Sequence, residues 1–180
     1  MLFNGPMVRA ILEDRKTVTR RAVKSDWIQS ERAPLETSPG IYHFWCSGER
    51  RCPYGKPGDR LWVRETFVGG QNGTAIRYRA TEPDWPAGQG TYWPWRPSIH
   101  MPRWASRILL EVTAVRVERL HDITDEQCIA EGCRGGHGSI PGYRYNATPQ
   151  EHFRHVWEST GGDYFANPWV WVIEFRRVPA

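Results

Sequence analysis

Lys16 and Thr19 are the residues near the start of this chain whose side chains could perform chemistry together. They lie in RKTVTRR, residues 15–21, directly after a short apolar stretch. A lysine beside a threonine hydroxyl can activate it as a nucleophile when burial or neighbouring cations lower the pKa of the lysine. In a helical turn the two side chains would share a face, whereas in an extended segment they would lie on opposite sides.

The three arginines of the same stretch allow two other interpretations. Arg15, Arg20 and Arg21 could bind phosphate through paired hydrogen bonds. Together with Lys16 they could equally form a solvated basic strip at the end of a helix, where cations complement the helix dipole. From residue chemistry alone, the solvated strip is the simplest of the three interpretations.

The composition indicates one soluble globular domain. The chain has 180 residues, of which 39% are hydrophobic and 24% charged, and this length is enough to bury a core. Its net charge of +4 permits nucleic acid or phosphorylated partners, although no long basic tail is present. No stretch approaches the roughly 20 apolar residues that span a membrane, and the N-terminus lacks a secretory apolar core. We therefore expect a cytoplasmic protein with no membrane partner.

His43, Cys46 and Cys52 lie close together in HFWCSGERRC and raise the question of a zinc site. Structural zinc sites usually space two cysteines by about two to four residues, whereas five residues separate Cys46 from Cys52. We therefore expect no metal and no other cofactor. In a reducing compartment the cysteines should be free thiols.

Periodicity and turn residues predict an α+β protein with short helices and a small mixed or closed sheet. Helices are expected within residues 5–16, 124–132 and 148–162, the last two with Thr124 and Thr148 as N-caps of capping boxes. Strands are expected after the turn at 57–59, at 74–80 after the hairpin signal Asn72-Gly73, at 107–120 and at 169–178. The remaining segments are expected to be long surface loops, at 25–52, 82–105 and 133–147, although Trp27, Phe44 and Trp45 suggest that the first of them packs back onto the protein.

Four segments, taken in order, resemble the ASCH domain family. LEDRKTVTRR is similar to the family motif Gly-x-Lys-x-x-Thr-x-Arg, with Lys16, Thr19 and Arg21 in register and Asp14 at the glycine position. KPGDRLWVRE resembles the Gly-Asp turn that leads into a barrel strand of the family. RILLEVTAVRVERLHDIT with DEQCIAEG resembles the central strand and the helix after it, and WVWVIEFRRV resembles the last strand. The resemblance covers most of residues 1–180 as a single domain, with the three loop segments as insertions.

The resemblance implies a small PUA-like β-barrel with short flanking helices and long inserted loops. Some ASCH proteins are amidohydrolases that remove the acetyl group from N4-acetylcytidine, using a Lys, a Thr and a Glu. Carried over by position, these are Lys16, Thr19 and Glu131. The resemblance thus implies hydrolysis of a linear amide in an N4-acylated cytosine nucleoside, without a metal.

Two mechanisms stay open for such a site. Thr19 could be the nucleophile with Lys16 relaying its proton, or Glu131 could activate a water while Thr19 orients the substrate. Arg21 or a backbone N–H could stabilise the oxyanion. Aromatic residues could bind the base by stacking, and the candidates are Trp62, Phe67 and the cluster from Trp93 to Trp95.

Two other functions remain possible on the same sequence. One is a module that binds RNA or single-stranded nucleic acid, and the other is a ribonuclease built on a basic cleft. Histidines are available for acid–base chemistry, but no pair has a telling spacing: His100, His121, His137 and His155. The modest net charge fits a nucleoside substrate somewhat better than a long polymer.

Overall fold

A computed structural model describes residues 1–28, 30–70, 74–88 and 93–179. The helices are α1 (Gly5–Leu12), α2 (Asp125–Ala130) and α3 (Pro149–Ser159). The strands are β1 (Val18–Ala22), β2 (Leu35–Ser38), β3 (Ile41–Phe44), β4 (Gly48–Arg51), β5 (Arg60–Trp62), β6 (Phe67–Val68), β7 (Arg77–Tyr78), β8 (Leu109–Arg119) and β9 (Trp169–Val178). Short 3₁₀ turns cover Ser25–Trp27, Ser98–His100, Arg103–Ala105 and Leu120–Asp122.

The main sheet has four antiparallel strands in the order β1-β9-β8-β5. Its long β8–β9 ladder shifts register between Val112 and Ala114, and such a bulge increases the local twist and bend of a sheet. The sheet curls into half a barrel, and the α+β class is confirmed. The finer expectation of a PUA-like barrel remains a prediction.

Strand β9 is buried on both faces, which explains why its first five residues, WVWVI, are all apolar. Trp171 packs edge-on against Tyr42 and Phe44 of β3, with ring centroids 5.4 and 6.0 Å apart. On the other face, Val170 and Val172 belong to the cluster that also contains residues of α2 and α3. The prediction of this strand at 169–178 is confirmed.

The prediction of a loop at 25–52 is wrong, whereas the expectation that this segment packs back is confirmed for Phe44, which is buried. The segment contains a second antiparallel sheet, β2-β3-β4, which covers one face of the main sheet. Tyr42, Phe44 and Cys52 are buried there, and the Tyr42 hydroxyl donates a hydrogen bond to the Val115 carbonyl. This segment is therefore part of the core.

The other predicted elements are confirmed with shorter bounds. Both capping boxes form, and β8 lies within the predicted 107–120. The strand after the turn at 57–59 divides into β5 and β6, and β6 pairs with β7 inside the predicted 74–80. Segments 82–88, 93–105 and 133–147 contain no strand, apart from isolated bridges. Asn72-Gly73 lies outside the described residues.

Helix α1 ends shortly before the stretch RKTVTRR and determines where that stretch begins. Val8 and Ile11 pack in one cluster with Leu110 and Phe175 of the main sheet. The chain then reverses through Asp14, whose φ is 54°, in the left-handed region that favours glycine. The Asp14 carboxylate accepts two hydrogen bonds from the Arg177 guanidinium, at 3.2 and 3.0 Å. The chain reversal before β1 thus forms with an aspartate in the left-handed region.

In the described part of the chain, no helix has the length and apolar character needed to cross a bilayer.

Candidate functional site

Lys16 is buried, and it forms an ion pair with Glu131, which lies at the C-terminal end of α2. Its residue exposure is 2%, and its Nζ lies 2.5 Å from Glu131 Oε2. The ammonium also donates to the carbonyls of Val18 and Glu131, each at 2.8 Å. A lysine ammonium has three N–H donors, so all three are used inside the protein. The solvated-strip interpretation is therefore wrong for Lys16.

Local structure at the end of α2 explains the position of Glu131. It is the C-cap residue of this six-residue helix, where carbonyls lack helical partners and the dipole is negative. The Lys16 ammonium binds both the Glu131 carbonyl and its carboxylate, which compensates for an acid at this end. The Thr17 N–H donates to the Ala130 carbonyl at 2.9 Å and fixes the chain before β1 against the helix.

Arg20 completes this buried charge cluster, defined here as Lys16, Arg20 and Glu131. Arg20 is 3% exposed, and its Nη1 donates to Glu131 Oε1 at 3.3 Å. Its Nη2 donates to Gln127 Oε1 at 2.7 Å and to Glu118 Oε2 at 3.4 Å. Its Nε is buried and, within the described residues, has no hydrogen-bond partner.

The expectation that Arg20 belongs to a solvated strip was therefore wrong, because β1 is extended. Side chains alternate along a strand, so Arg20 points to the same side as Val18, whereas Thr19 and Arg21 point to the other. Arg15, in contrast, forms an exposed ion pair with Glu13. Strand alternation places Arg20 on the face of Val18, but only once the segment VTRRA is known to be extended.

Thr19 and Arg21 lie opposite Ile173 and Trp171 in the β1–β9 ladder. Thr19 is 3% exposed, and among the described contacts its hydroxyl makes no hydrogen bond to Lys16 or Glu131. Arg21 is half-buried, and its Nη2 donates to the Leu2 carbonyl at 2.8 Å.

A cavity of about 270 Å³ borders this cluster. Its lining includes Thr19, Arg20, Arg21, Glu131, Phe153 and Trp157. Lys16 does not line it, although its ammonium is paired with the Glu131 carboxylate. The resemblance-based trio is thus brought together, with two of its members bordering the cavity and the third supporting Glu131.

The free edge of β1 contributes main-chain groups to the same cavity. The Val23 N–H bonds to Trp169 and the Thr17 carbonyl accepts from Phe175, so odd-numbered residues of β1 face β9. The N–H and carbonyl groups of Arg20 and Ala22 consequently point away from β9, and no described residue pairs with them. An edge strand with unpaired groups can donate to and accept from a planar ligand.

The aromatic residues expected to bind a base lie elsewhere. Phe67 is fully buried in a separate cluster with Met101 and Ala105, so its assignment as a base-binding residue is wrong. Trp62 lines a different depression. The Arg64 guanidinium lies over the Trp62 ring, 4.5 Å from its centroid. Trp93 and Trp95 do not line the cavity.

Helix α3 supplies the aromatic side of the cavity instead. Phe153 and Trp157 project from this helix with ring centroids 6.1 Å apart. The Trp157 Nε1 is buried and, like Arg20 Nε, has no hydrogen-bond partner in the described chain. An apolar stripe on a helix does not distinguish a residue that packs in the core from one that binds a ligand, because both roles use the same residue types.

The cysteines are free thiols, and Cys46 is exposed while Cys52, Cys128 and Cys133 are buried. Cys133 lines the cavity, and burial, followed by the nearby Glu131 carboxylate, raises its pKa to about 12. Within the described ranges, no three His, Cys, Asp or Glu residues are grouped as they would be to hold a metal ion.

Comparison of the chain with models of known protein families, with curated proteins and with solved structures finds no match.

Proposed function

We propose that this protein is an ASCH-like amidohydrolase that removes the acyl group from N4-acylated cytosine nucleosides such as N4-acetylcytidine. One observation carries the proposal: Lys16 and Glu131, 115 positions apart in the chain, form a buried pair at 2.5 Å beside a cavity that Thr19 also lines. Perturbed or buried ionisable groups next to a cavity are typical of active sites.

The cavity offers the groups that an acylated cytosine requires. Its volume of about 270 Å³ is near the lower end of ligand sites and suits one small ring with a short acyl chain. Phe153 and Trp157 provide apolar surface for the ring, and the edge of β1 provides donors and acceptors for its polar rim.

The geometry favours water attack over a threonine nucleophile. Lys16 uses all three donors and does not border the cavity, so it has no free contact for the Thr19 proton. Glu131 does border the cavity and can take a proton from a water that attacks the acyl carbon. In this mechanism Lys16 and Arg20 position Glu131, and the Thr19 hydroxyl orients the substrate.

The remaining steps follow from the same groups. Attack of hydroxide on the acyl carbon gives a tetrahedral oxyanion, for which the unpartnered Arg20 Nε–H and the β1 edge amides are available donors. Glu131 then returns its proton to N4 as the C–N bond breaks. The products are the carboxylic acid and the cytosine amine.

The direct test is incubation of the purified protein with N4-acetylcytidine while cytidine and acetate are quantified. We expect release of cytidine and acetate in equal amounts. The two controls, buffer alone and denatured protein, should release neither product above background. Absence of turnover across a pH range would refute the proposed activity.

A matched pair of threonine variants separates the two mechanisms. Thr19→Val should lower kcat/KM by about 10- to 100-fold, the effect of losing one substrate hydrogen bond, whereas Thr17→Val at an exposed position should leave it unchanged. Accumulation of an acetylated protein in rapid-quench mass spectra, lost in Thr19→Val, would instead establish the threonine nucleophile.

The ribonuclease alternative has less support. The four histidines considered for it are absent from the cavity lining. His121 stacks on Tyr164, and its Nε2 lies 2.8 Å from the Tyr164 carbonyl.

A further inference from the structure

Two surface depressions lie next to the cavity and share lining residues with it. The larger, of about 580 Å³, shares Met7, Arg21 and Thr160 with the cavity. The smaller, of about 340 Å³, shares Leu2 and Arg21 with the larger. Arg21 borders all three spaces, which places the two depressions directly beside the cavity.

Four arginine side chains line the two depressions, which we together call the arginine groove: Arg9, Arg21, Arg64 and Arg79. Within the described ranges, none of the four forms an ion pair. The one carboxylate that borders the larger depression, Glu65, is buried and accepts two hydrogen bonds from Arg107 at 2.9 and 3.0 Å. No carboxylate in the described part of the chain therefore forms an ion pair with these four arginines.

Three of these guanidinium groups are held in place without being neutralised. Arg9 Nη1 donates to the Ala80 carbonyl at 2.9 Å, and Arg21 Nη2 donates to the Leu2 carbonyl at 2.8 Å. Arg64 lies over the Trp62 ring, 4.5 Å from its centroid. Carbonyl and ring contacts use only part of a guanidinium's five donors, so paired hydrogen bonds to an anion remain available.

We propose that the arginine groove binds phosphate groups of the substrate, so that the acylated cytosine enters the cavity as part of a phosphorylated nucleotide or a short single strand. This inference rests on the proposed function for the identity of the base. The phosphate preference itself rests only on the charges and contacts of the groove. Guanidinium groups bind phosphate oxygens in pairs, which suits an ordered but unneutralised set of arginines.

Binding measurements test the groove without requiring turnover. Affinities of the full chain are measured for cytidine, cytidine 5′-monophosphate and a six-nucleotide oligocytidylate, at several salt concentrations. We expect the monophosphate to bind about tenfold more tightly than cytidine, because it gains a charge-assisted contact. Each further phosphate of the oligonucleotide that is bound should add about 0.7 to the slope of log Kd against log salt concentration.

Variants assign the effect to the groove. Arg79→Gln and Arg64→Gln should each remove most of the phosphate preference, whereas Arg144→Gln should keep it, because Arg144 is exposed on the loop at 133–147, outside the groove. Affinity gained by the monophosphate alone would identify a nucleotide ligand, and affinity that increases further with the oligonucleotide would identify a polymer. Either result supports the proposal.

Equal affinities for cytidine, the monophosphate and the oligonucleotide would overturn the groove assignment, as would an equal loss in Arg144→Gln. The two proposals fail separately in this design. Phosphate-dependent binding without hydrolysis would remove the proposed activity and keep the groove. Hydrolysis that is indifferent to phosphate and to Arg79→Gln would keep the activity and remove the groove.

Discussion

The buried charge cluster and the arginine groove each contain one of two adjacent arginines of β1, Arg20 and Arg21. They differ in the groups that compensate their positive charges. Arg20 points towards α2 and contacts Glu131 and Gln127, whereas Arg21 contacts a main-chain carbonyl and no carboxylate in the described chain. Alternation along one strand thus sends one guanidinium into the interior and the next towards the groove.

This difference indicates two separate roles for cations in the molecule. Charges that are buried must be paired, because desolvation otherwise costs several kcal/mol per ion, as an order of magnitude. Lys16 and Arg20 satisfy this requirement with Glu131, and the carboxylate is thereby held in one position beside the cavity. Cations at the surface need no such partner and remain available to an external anion. The cluster is suited to position a reacting group, and the groove is suited to bind.

Breaking the buried pair should have the largest effect on stability. Lys16→Met leaves Glu131 with Arg20 alone and removes two hydrogen bonds to carbonyls, so we expect a loss of about 3–5 kcal/mol in the free energy of unfolding. Urea denaturation measures it, with Lys56→Met at an exposed position as the control. The double variant Lys16→Met/Glu131→Gln should recover part of the loss. A Lys16→Met protein as stable as the wild type would contradict the assigned burial.

Adjacent arginine variants compare the two regions directly. Arg20→Gln should lower the free energy of unfolding by about 1–3 kcal/mol, since it removes hydrogen bonds among buried charged groups. Arg21→Gln should change stability by less than about 0.5 kcal/mol, as expected of a side chain outside the buried cluster. The same denaturation series measures both, and the reverse order of the two values would break the comparison.

Cysteine labelling gives the smallest and most local test. Burial raises the pKa of Cys133 to about 12 and that of Cys128 to about 12, so at pH 8 both thiols are protonated and shielded. Iodoacetamide should therefore modify exposed Cys46 in the native protein and reach the buried thiols only after denaturation. Peptide mass mapping distinguishes the sites. Rapid native labelling of Cys133 would show that the wall beside Glu131 is open.

Local signals were sufficient for some elements and insufficient for others. Both capping boxes and the apolar β9 follow from short sequence patterns, because each element is determined largely by its own residues. Strands β2 and β4, in LETS and GERR, carry no apolar alternation, since β2 is exposed and β4 only partly covered. Their pairing with β3 depends on neighbouring strands and not on their own composition.

The candidate site shows the same division. The resemblance pointed to Lys16, Thr19 and Glu131 as candidates, whereas Arg20 required the observation that the segment is extended and faces α2. Phe67 was misassigned because an aromatic residue in a short strand has the same sequence pattern whether it packs in the core or binds a base. Long-range packing decides between these roles, and a single sequence does not encode it in any local pattern.

The most direct test of the central claim compares two carboxylates that both contact Arg20. Glu131 borders the cavity and Glu118 does not, although each accepts a hydrogen bond from this guanidinium. On N4-acetylcytidine we expect Glu131→Gln to lower kcat/KM by at least about 100-fold, as for loss of a general base, and Glu118→Gln to change it by less than about threefold. Thermal unfolding of both variants establishes that they are folded. A folded Glu131→Gln protein that hydrolyses the substrate at the wild-type rate would contradict the account.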